Sequence, residues 1–191
     1  TVIAKIDFRG NNVVSSKTLK GKLKLKEVGL ISKGAFQESE LEADRQAVVS
    51  YYMSIGYVDA QVIDVVKEVA VNDKKNRDEL SITFVVVEGS QYTFGGMTFK
   101  GNVIFSSETL ESYVKMKPGS VYNQQKYQDT VMAIADLYYE NGYTSNRFQP
   151  MPVKDSENKV ISYDFQIVES LRSHVESIAI KGNSRTKEYV I

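Results

Sequence analysis

The sequence contains no cysteine and no tryptophan, and it has one histidine and three prolines among 191 residues. Without cysteine there can be no disulfide and no thiolate ligand or nucleophile, which is compatible with an oxidising compartment but does not demonstrate one. Basic and acidic residues balance at 24 each, whereas domains that mainly bind nucleic acid usually carry a basic excess. No apolar run is long enough to cross a bilayer as a helix. These absences argue against a disulfide-stabilised domain, a thiolate site, a nucleic-acid-binding domain and a transmembrane helix. The internal organisation of the sequence is therefore the main evidence for fold and function.

A six-residue pattern occurs three times, at residues 6–11, 97–102 and 178–183. The pattern is hydrophobic, polar, hydrophobic, basic, Gly, Asn, with Ala179 at the polar position of the third occurrence, and it closes on Gly10-Asn11, Gly101-Asn102 and Gly182-Asn183. Further matches follow each pattern in the same order, with changes of spacing that fall in predicted loops, where length is tolerated. Repeats at this spacing indicate a tandem array of small domains. We predict two complete copies, at 1–90 and 91–171, and the truncated start of a third at 172–191.

Each copy predicts the element order β-α-α-β-β, and therefore an α+β fold with a three-stranded mixed sheet covered on one face by two helices. In the first copy we expect strands at 2–8, 57–67 and 79–88, a short helix at 15–26 and a long helix at 38–55. Val2, Ala4, Ile6 and Phe8 are expected on one face of the first strand. The apolar run Phe84–Val87 predicts a central strand that is buried on both faces.

The second copy predicts strands at 92–100, 143–153 and 159–169, with helices at 106–116 and 124–141. Gly95-Gly96 indicates a bulge in its first strand. Gly56 and Gly142 each follow a long helix, where a glycine readily ends it. Paired tyrosines surround both helix ends. The matched ones are expected in the cores (Tyr52, Tyr57, Tyr138, Tyr143), and the unmatched Tyr51 and Tyr139 at exposed or interdomain positions.

The strand ending in Lys/Arg-Gly-Asn, the helix pair closed by Gly-Tyr and the final Phe-x-x-Val-Glu strand together resemble tandem POTRA domains of BamA-type outer-membrane protein assembly factors. The resemblance covers the whole chain. It implies a periplasmic location, tethered to the outer membrane by a C-terminal β-barrel beyond residue 191. It also implies partners: unfolded outer-membrane β-barrel proteins, accessory subunits or lipoproteins, and chaperones.

Other functions remain open at this point. POTRA domains also occur in two-partner secretion transporters, assembly paralogues and cell-division proteins. A β-α-α-β-β frame could instead carry a ligand-binding or enzymatic site, but such a site needs a convergent polar pocket, which the sequence does not indicate.

We expect no catalytic, cofactor-binding or metal site. His174 lacks a second histidine or a cysteine as a co-ligand. The acidic residues Asp44, Asp59, Asp64 and Glu68 are spaced as on solvated faces. A basic run is expected on the exposed side of the short helix, with a docking patch for an acidic partner or for membrane headgroups as the alternative (Lys17, Lys20, Lys22, Lys24, Lys26).

The predicted binding site is the edge strand that follows Gly56-Tyr57. An edge strand leaves N–H and C=O groups unpaired, so an extended peptide can add to it. In the first copy this strand has no proline, and its alternation breaks at Val62-Ile63, which suggests a bulge. In the second copy Pro150 and Pro152 remove two donors. The predicted site comprises Val58, Asp59, Ala60, Gln61, Val62, Ile63, Asp64, Val65 and Val66, while Gly10, Asn11, Gly101, Asn102, Gly182, Asn183, Gly56 and Gly142 are predicted to be structural turn residues.

Overall fold

A computed structural model describes residues 1–29 and 32–174, which form two similar domains. In the first, β1 (Val2–Arg9) is followed by helices α1 (Ser16–Lys20) and α2 (Glu38–Ser54), then by β2 (Gln61–Asn72) and β3 (Arg77–Val87). The sheet order is β1-β3-β2, with β1 parallel and β2 antiparallel to the central β3. The predicted α+β class is confirmed.

The second domain repeats this topology. Its elements are β4 (Thr93–Lys100), α3 (Ser107–Glu111), α4 (Gln124–Glu140), β5 (Arg147–Asp155) and β6 (Val160–Val168), and its sheet order is β4-β6-β5. Asn123 caps α4 by accepting the Lys126 N–H at 3.0 Å. Each domain encloses its own core. The third copy predicted at 172–191, including Gly182 and Asn183, lies almost wholly outside the described residues.

Both long helices end in a Schellman motif, which accounts for the repeated Gly-Tyr pair. Gly56 has φ +92° and donates to Met53, and Tyr57 donates to Tyr52 O at 3.0 Å. The rings of Tyr52 and Tyr57 also meet edge to face, 6.0 Å between centroids, as the hydrophobic contact of this motif requires. Tyr57 therefore completes the helix end, and the strand predicted from residue 57 begins only at Gln61. Tyr143 plays the same part in the second domain, so β5 begins at Arg147.

The expected face of β1 is wrong because the strand carries a bulge. The register shifts between Ile3 and Lys5, which places Ile3 rather than Val2 or Ala4 in the core with Ile6 and Phe8. An inserted residue reverses the side-chain alternation. In the second domain the shift between Phe94 and Gly96 confirms the bulge expected at Gly95-Gly96.

The short helices are shorter than expected, and a buried side chain on α2 provides the reason. Asp44 is fully buried and accepts the N–H groups of Lys24 and Leu25 at 2.6 and 2.9 Å. This carboxylate holds the segment after α1 against α2, so α1 ends at Lys20 instead of residue 26. Asp44 was expected on a solvated face, and that expectation is wrong. In the second domain Thr130 accepts the Lys115 N–H at 2.9 Å in its place.

The central strand β3 is buried on one face only. Leu80, Ile82, Phe84 and Val86 alternate into the core, whereas Val85 is half-buried and Val87 is exposed. The apolar run correctly indicated a central strand, but burial on both faces is wrong, because both helices lie on the same side of the sheet. Each sheet thus keeps an open face and two edges.

The second core contains a group of three tyrosines whose titration gives a prediction. Tyr127 stacks on Tyr163 with centroids 4.1 Å apart, and the hydroxyls of Tyr122 and Tyr163 are 2.7 Å apart. Burial, assisted by the neighbouring Tyr163, raises the pKa of Tyr127 to about 12. Burial and the Tyr163 hydroxyl also raise the pKa of Tyr122.

We expect the second domain to lose stability as the pH rises through the window from about 10, the pKa of an unfolded tyrosine, to about 12, the pKa of folded Tyr127. The raised pKa means that the folded state keeps a proton which the unfolded state has lost, so alkaline pH favours unfolding. Urea unfolding at pH 9 and pH 11.5, for the native chain and Tyr127→Phe, measures the effect. The variant should lose less stability between the two pH values, and an equal loss in both proteins would contradict the assignment.

Candidate functional site: the β2 edge and the domain joint

The predicted binding strand divides between two structural settings. Gln61 to Val66 lie in β2, which pairs only with β3 and so forms an edge of the first sheet. Val58, Asp59 and Ala60 precede β2 in a turn. The register shift between Val62 and Asp64 confirms the expected bulge. β2 also continues to Asn72, beyond the predicted end at 67, and forms a 12-residue edge.

The beginning of the β2 edge is satisfied by side chains of the first domain itself. Arg45, on α2, donates to the outward carbonyl of Val62 from Nε at 3.2 Å and from a terminal nitrogen at 2.9 Å. The Asp64 carboxylate accepts the Val65 N–H at 2.7 Å. Farther along, Val69 and Val71 are 63% and 71% exposed. The exposed end of β2 therefore offers apolar side chains together with an unpaired strand edge.

Two shallow clefts lie between α2 and β2, on either side of Arg45. One, of about 440 Å³, is lined by Leu41, Ile63, Val65 and neighbouring charged residues. The other, of about 550 Å³, extends past Val49 towards the turn at Val58. Arg45 lines both clefts and lies between them, and its guanidinium also binds the Val62 carbonyl at the beginning of β2. A change in the Arg45 rotamer would therefore join the two clefts. If a peptide strand paired with the β2 edge, its side chains on the helix-covered side of the sheet would fit into these clefts.

The corresponding edge of the second domain is β5, and it has fewer donors. Pro150 lies opposite Phe165, and Pro152 lies opposite Tyr163. Aligning the two sheets on their central strands places these prolines at the positions of Val65 and Lys67 in β2. Proline has no N–H, so neither position can donate to an added strand.

The three predicted site residues ahead of β2 belong to the joint between the domains. Val58 packs against the second core, and Ala60 is buried in the first. Asp59 accepts a hydrogen bond from Lys154 on β5, which raises the pKa of the lysine. The Lys154 ammonium also lies 4.8 Å from the centroid of the Tyr92 ring. These contacts hold the second domain against the end of the first.

The joint also has a backbone component. Tyr92 N–H donates to Gly56 O at 2.8 Å, and the Gln91 side chain donates to Ile55 O at 2.9 Å. Ser173 N–H donates to Gly142 O at 2.7 Å in the same way. The C′ glycine of each long helix therefore offers its carbonyl to the chain leaving its domain.

The Gly-Asn turns are built identically in both domains. Gly10 and Gly101 have φ of +83° and +79°. The Asn11 amide donates to Val14 O at 2.8 Å and to the Ser16 hydroxyl at 3.1 Å. Asn102 makes the equivalent bonds to Phe105 O and Ser107. These residues hold the loop that starts α1 or α3.

A carboxylate, buried in the first domain and half-buried in the second, supports each of these turns. It belongs to the glutamate of the Phe-x-x-Val-Glu motif, for which the sequence predicted no structural role. Glu88 accepts the N–H groups of Asn12 and Val13 at 3.0 Å and the Tyr52 hydroxyl at 2.7 Å. In the second domain Glu169 accepts from Val103 N–H, Ile104 N–H and the Tyr138 hydroxyl. The available signal was the repetition of this glutamate with its tyrosine. Glu88 is 8% exposed and fully occupied by these donors, so its role is structural.

The remaining candidates are spread over the surface. His174 is exposed. Of the basic run, Lys20 pairs with Glu27 at 2.8 Å and Lys22 lies over the Tyr51 ring, so the lysines do not share one helix face. Tyr139 is 66% exposed, whereas Tyr52 and Tyr138 are fully buried. Among residues 1–29 and 32–174, no cluster of acidic or histidine side chains could hold a metal ion, and no helix is long and apolar enough to cross a membrane.

Comparison with known proteins agrees with this architecture. The model of the POTRA family, described as "surface antigen variable number repeat", matches residues 1–89 and 92–170. A putative outer membrane protein assembly factor of Treponema pallidum (strain Nichols) is 42% identical over the whole chain, which covers 23% of that protein. The assembly factor BamA of Neisseria meningitidis serogroup B is 28% identical over 99% of this chain and 24% of its own. The chain thus spans about a quarter of the length of these curated relatives.

A solved structure is similar over the full length as well. The crystal structure of Haemophilus influenzae BamA POTRA3-5 superposes with a TM-score of 0.73 at 26% identity, covering all of this chain and 74% of the other. Fold and joint define a class of protein, a tandem array of small α+β domains with exposed sheet edges. The chain belongs to the POTRA family, and its two domains are tandem POTRA domains of the BamA type.

Proposed function

We propose that this chain is the periplasmic POTRA scaffold of an outer-membrane β-barrel assembly protein, without enzymatic activity of its own. In this proposal it binds extended segments of unfolded outer-membrane β-barrel proteins, and of accessory subunits or lipoproteins, partly by strand addition to the β2 edge. The observation that carries the proposal is the 12-residue, proline-free edge of β2 beside two clefts.

The chemistry of the edge supports strand addition over side-chain recognition alone. Backbone hydrogen bonds give affinity that is independent of sequence, and alternate side chains fill pockets along the strand. A strand destined for a β-barrel alternates apolar and polar residues, which suits an edge with a cleft on one side and solvent on the other. A scaffold for many such clients needs this tolerance of sequence.

The two domains supply a matched pair of edges for a test. Val65→Pro/Lys67→Pro copies the two prolines of β5 into β2, at positions whose N–H groups point away from β3. An added strand would take the Val65 N–H from the Asp64 carboxylate, which accepts it in the free chain. We expect this variant to bind a ten-residue peptide of alternating valine and threonine at least about tenfold more weakly, because each lost hydrogen bond contributes roughly 1 kcal/mol. Binding is measured by amide shifts of the ¹⁵N-labelled chain.

The control is Val65→Ala/Lys67→Ala, which removes the same side chains but keeps both N–H groups. It should bind within about threefold of the native chain, given that a factor of ten corresponds to roughly 1.4 kcal/mol. Equal loss in both variants would show that side chains rather than backbone groups bind the peptide. A peptide that shifts no β2 amide in the native chain would refute the proposal for this edge.

A further inference from the structure

The edge of the first strand is closed in the first domain by a neighbouring loop. The Ile3 N–H donates to Gly34 O and its carbonyl accepts the Val28 N–H, both at 2.7 Å. Farther along, the Ile6 N–H donates to the Glu27 carboxylate at 2.7 Å, and Lys20 holds the same carboxylate at 2.8 Å. The Phe8 N–H is taken up by Asp7 at 3.1 Å. Each outward N–H from Ile3 to Phe8 therefore has an acceptor within the domain.

The second domain keeps only the first part of this closure. Phe94 N–H donates to Ser120 O at 2.8 Å, and Gly119 N–H donates to Phe94 O at 2.7 Å. The position of Glu27 is taken by Pro118, and the position of Lys20 by Glu111. Met97, which corresponds to Ile6, consequently has no acceptor for its outward N–H among the described residues.

The next outward N–H along β4, that of Phe99, also lacks its acceptor. Thr98 replaces Asp7, and its hydroxyl donates to Asp164 at 2.6 Å, so it does not turn back to the backbone. Within residues 1–29 and 32–174 the Phe99 N–H has no partner either. The outward groups of Met97 and Phe99 are roughly 6.6 Å apart, the two-residue repeat of an extended chain.

A groove opens beside the first of these groups, at Met97. It has a volume of about 410 Å³ and lies between β4 and the segment after α3. Its walls are mainly apolar, with Glu111 and Lys117 as charged members (Phe94, Gly96, Met97, Val114, Met116, Pro118). Met97 and Met116 are almost fully buried and form its floor. Methionine side chains adapt to varied apolar partners.

We propose that this β4 groove is a second site for an extended client segment. The segment's carbonyls accept from the N–H groups of Met97 and Phe99, while one apolar side chain enters the groove over Met97 and Met116. The inference rests on the proposed function, because it takes the same class of client. It adds that the two domains use opposite edges: β2 in the first, where Glu27 closes β1, and β4 in the second, where prolines disable β5.

A loop swap within the chain tests this site. Glu111→Lys/Pro118→Glu rebuilds the Lys20–Glu27 pair of the first domain and places a carboxylate on the Met97 N–H. The control, Glu111→Lys/Pro118→Ala, makes the same charge change at 111 and removes the same proline but supplies no acceptor. The probe is the ten-residue peptide of alternating valine and threonine, titrated into the ¹⁵N-labelled chain.

In the native chain the amides of Met97 and Phe99 should shift and saturate with the peptide. The rebuilt pair should weaken this response at least about tenfold, and the alanine control should keep it within about threefold, a factor of ten being roughly 1.4 kcal/mol.

Shifts confined to β2 amides in the native chain would overturn this inference and leave the proposed function standing. A peptide that shifts neither edge would overturn both. Equal loss in the two double variants would show that the peptide does not bind the Met97 N–H, and would overturn the inference. If a variant fails to fold, the titration of the native chain still tests the inference by itself.

Discussion

Replacing Gly101 with alanine is expected to destabilise the second domain by about 3 kcal/mol or more, the sum of left-handed strain and a steric clash. Gly101 has φ +79°, and a Cβ atom there would lie 2.3 Å from the carbonyl oxygen of Ile167. That oxygen belongs to the central strand β6, so it cannot move without disturbing the sheet. Urea unfolding, with the two domains followed separately by amide resonances, measures the loss.

Gly119→Ala is the matched control, because it separates conformational strain from the clash. Gly119 has nearly the same φ, +83°, yet a Cβ atom would meet nothing within 4 Å. The control should cost only about 1–2 kcal/mol, the left-handed penalty alone. If both variants lost the same stability, the close approach to Ile167 would carry no energetic weight.

Glu88→Ala is expected to destabilise the first domain by about 2–4 kcal/mol, since it leaves the buried Tyr52 hydroxyl and two partly buried N–H groups without an acceptor. The N–H groups of Asn12 and Val13 and the Tyr52 hydroxyl all converge on this carboxylate. Tyr52 is fully buried, so water cannot readily replace the lost bond to its hydroxyl. The free energy of unfolding in urea measures the effect.

A double-mutant cycle with Tyr52→Phe tests the assignment. Tyr52→Phe should cost about 1 kcal/mol in the native background but much less in Glu88→Ala, because the hydroxyl has already lost its partner. Glu169→Ala and Tyr138→Phe repeat the experiment in the second domain. Additive losses within a pair would mean that the glutamate and tyrosine act independently, against the geometry.

The sequence predicted features that depend on local pattern or on repetition. The β-α-α-β-β order follows from alternation and helical spacing, and β3 was assigned the centre of its sheet from one apolar run. The Gly-Tyr pairs marked the helix ends, and both predicted bulges are present. In each case a residue's own chemistry, or its recurrence at a matched position, determines the local structure.

Features that depend on long-range contacts were mispredicted or missed. The bulge near Ala4 changed which side chains of β1 face the core, although the alternation looked regular. Asp44 resembles any surface carboxylate in sequence, and its burial depends on two N–H groups about 20 residues away in the chain. The joint likewise combines Asp59 with Lys154, 95 residues apart. No local pattern encodes such a pairing.

Features of the candidate site also divide into those that the local sequence predicts and those that depend on long-range contacts. The contrast between a proline-free β2 and the prolines of β5 was visible in the sequence. Arg45 on the Val62 carbonyl was not, and neither was the missing closure of β4. Both features depend on which side chain reaches a backbone group across the fold. The absence of an acceptor opposite Met97 emerges only when the two domains are superposed.

The joint has a mechanical consequence. The same backbone bond leaves each long helix, at Gly56 and at Gly142. The first is enclosed by Val58, buried Tyr92 and the Lys154–Asp59 pair. At the second, among the described residues, the exposed Thr144 and Ser173 share a hydroxyl contact of 2.6 Å. We therefore expect the joint at residue 92 to resist bending, because side chains as well as a backbone bond cross it.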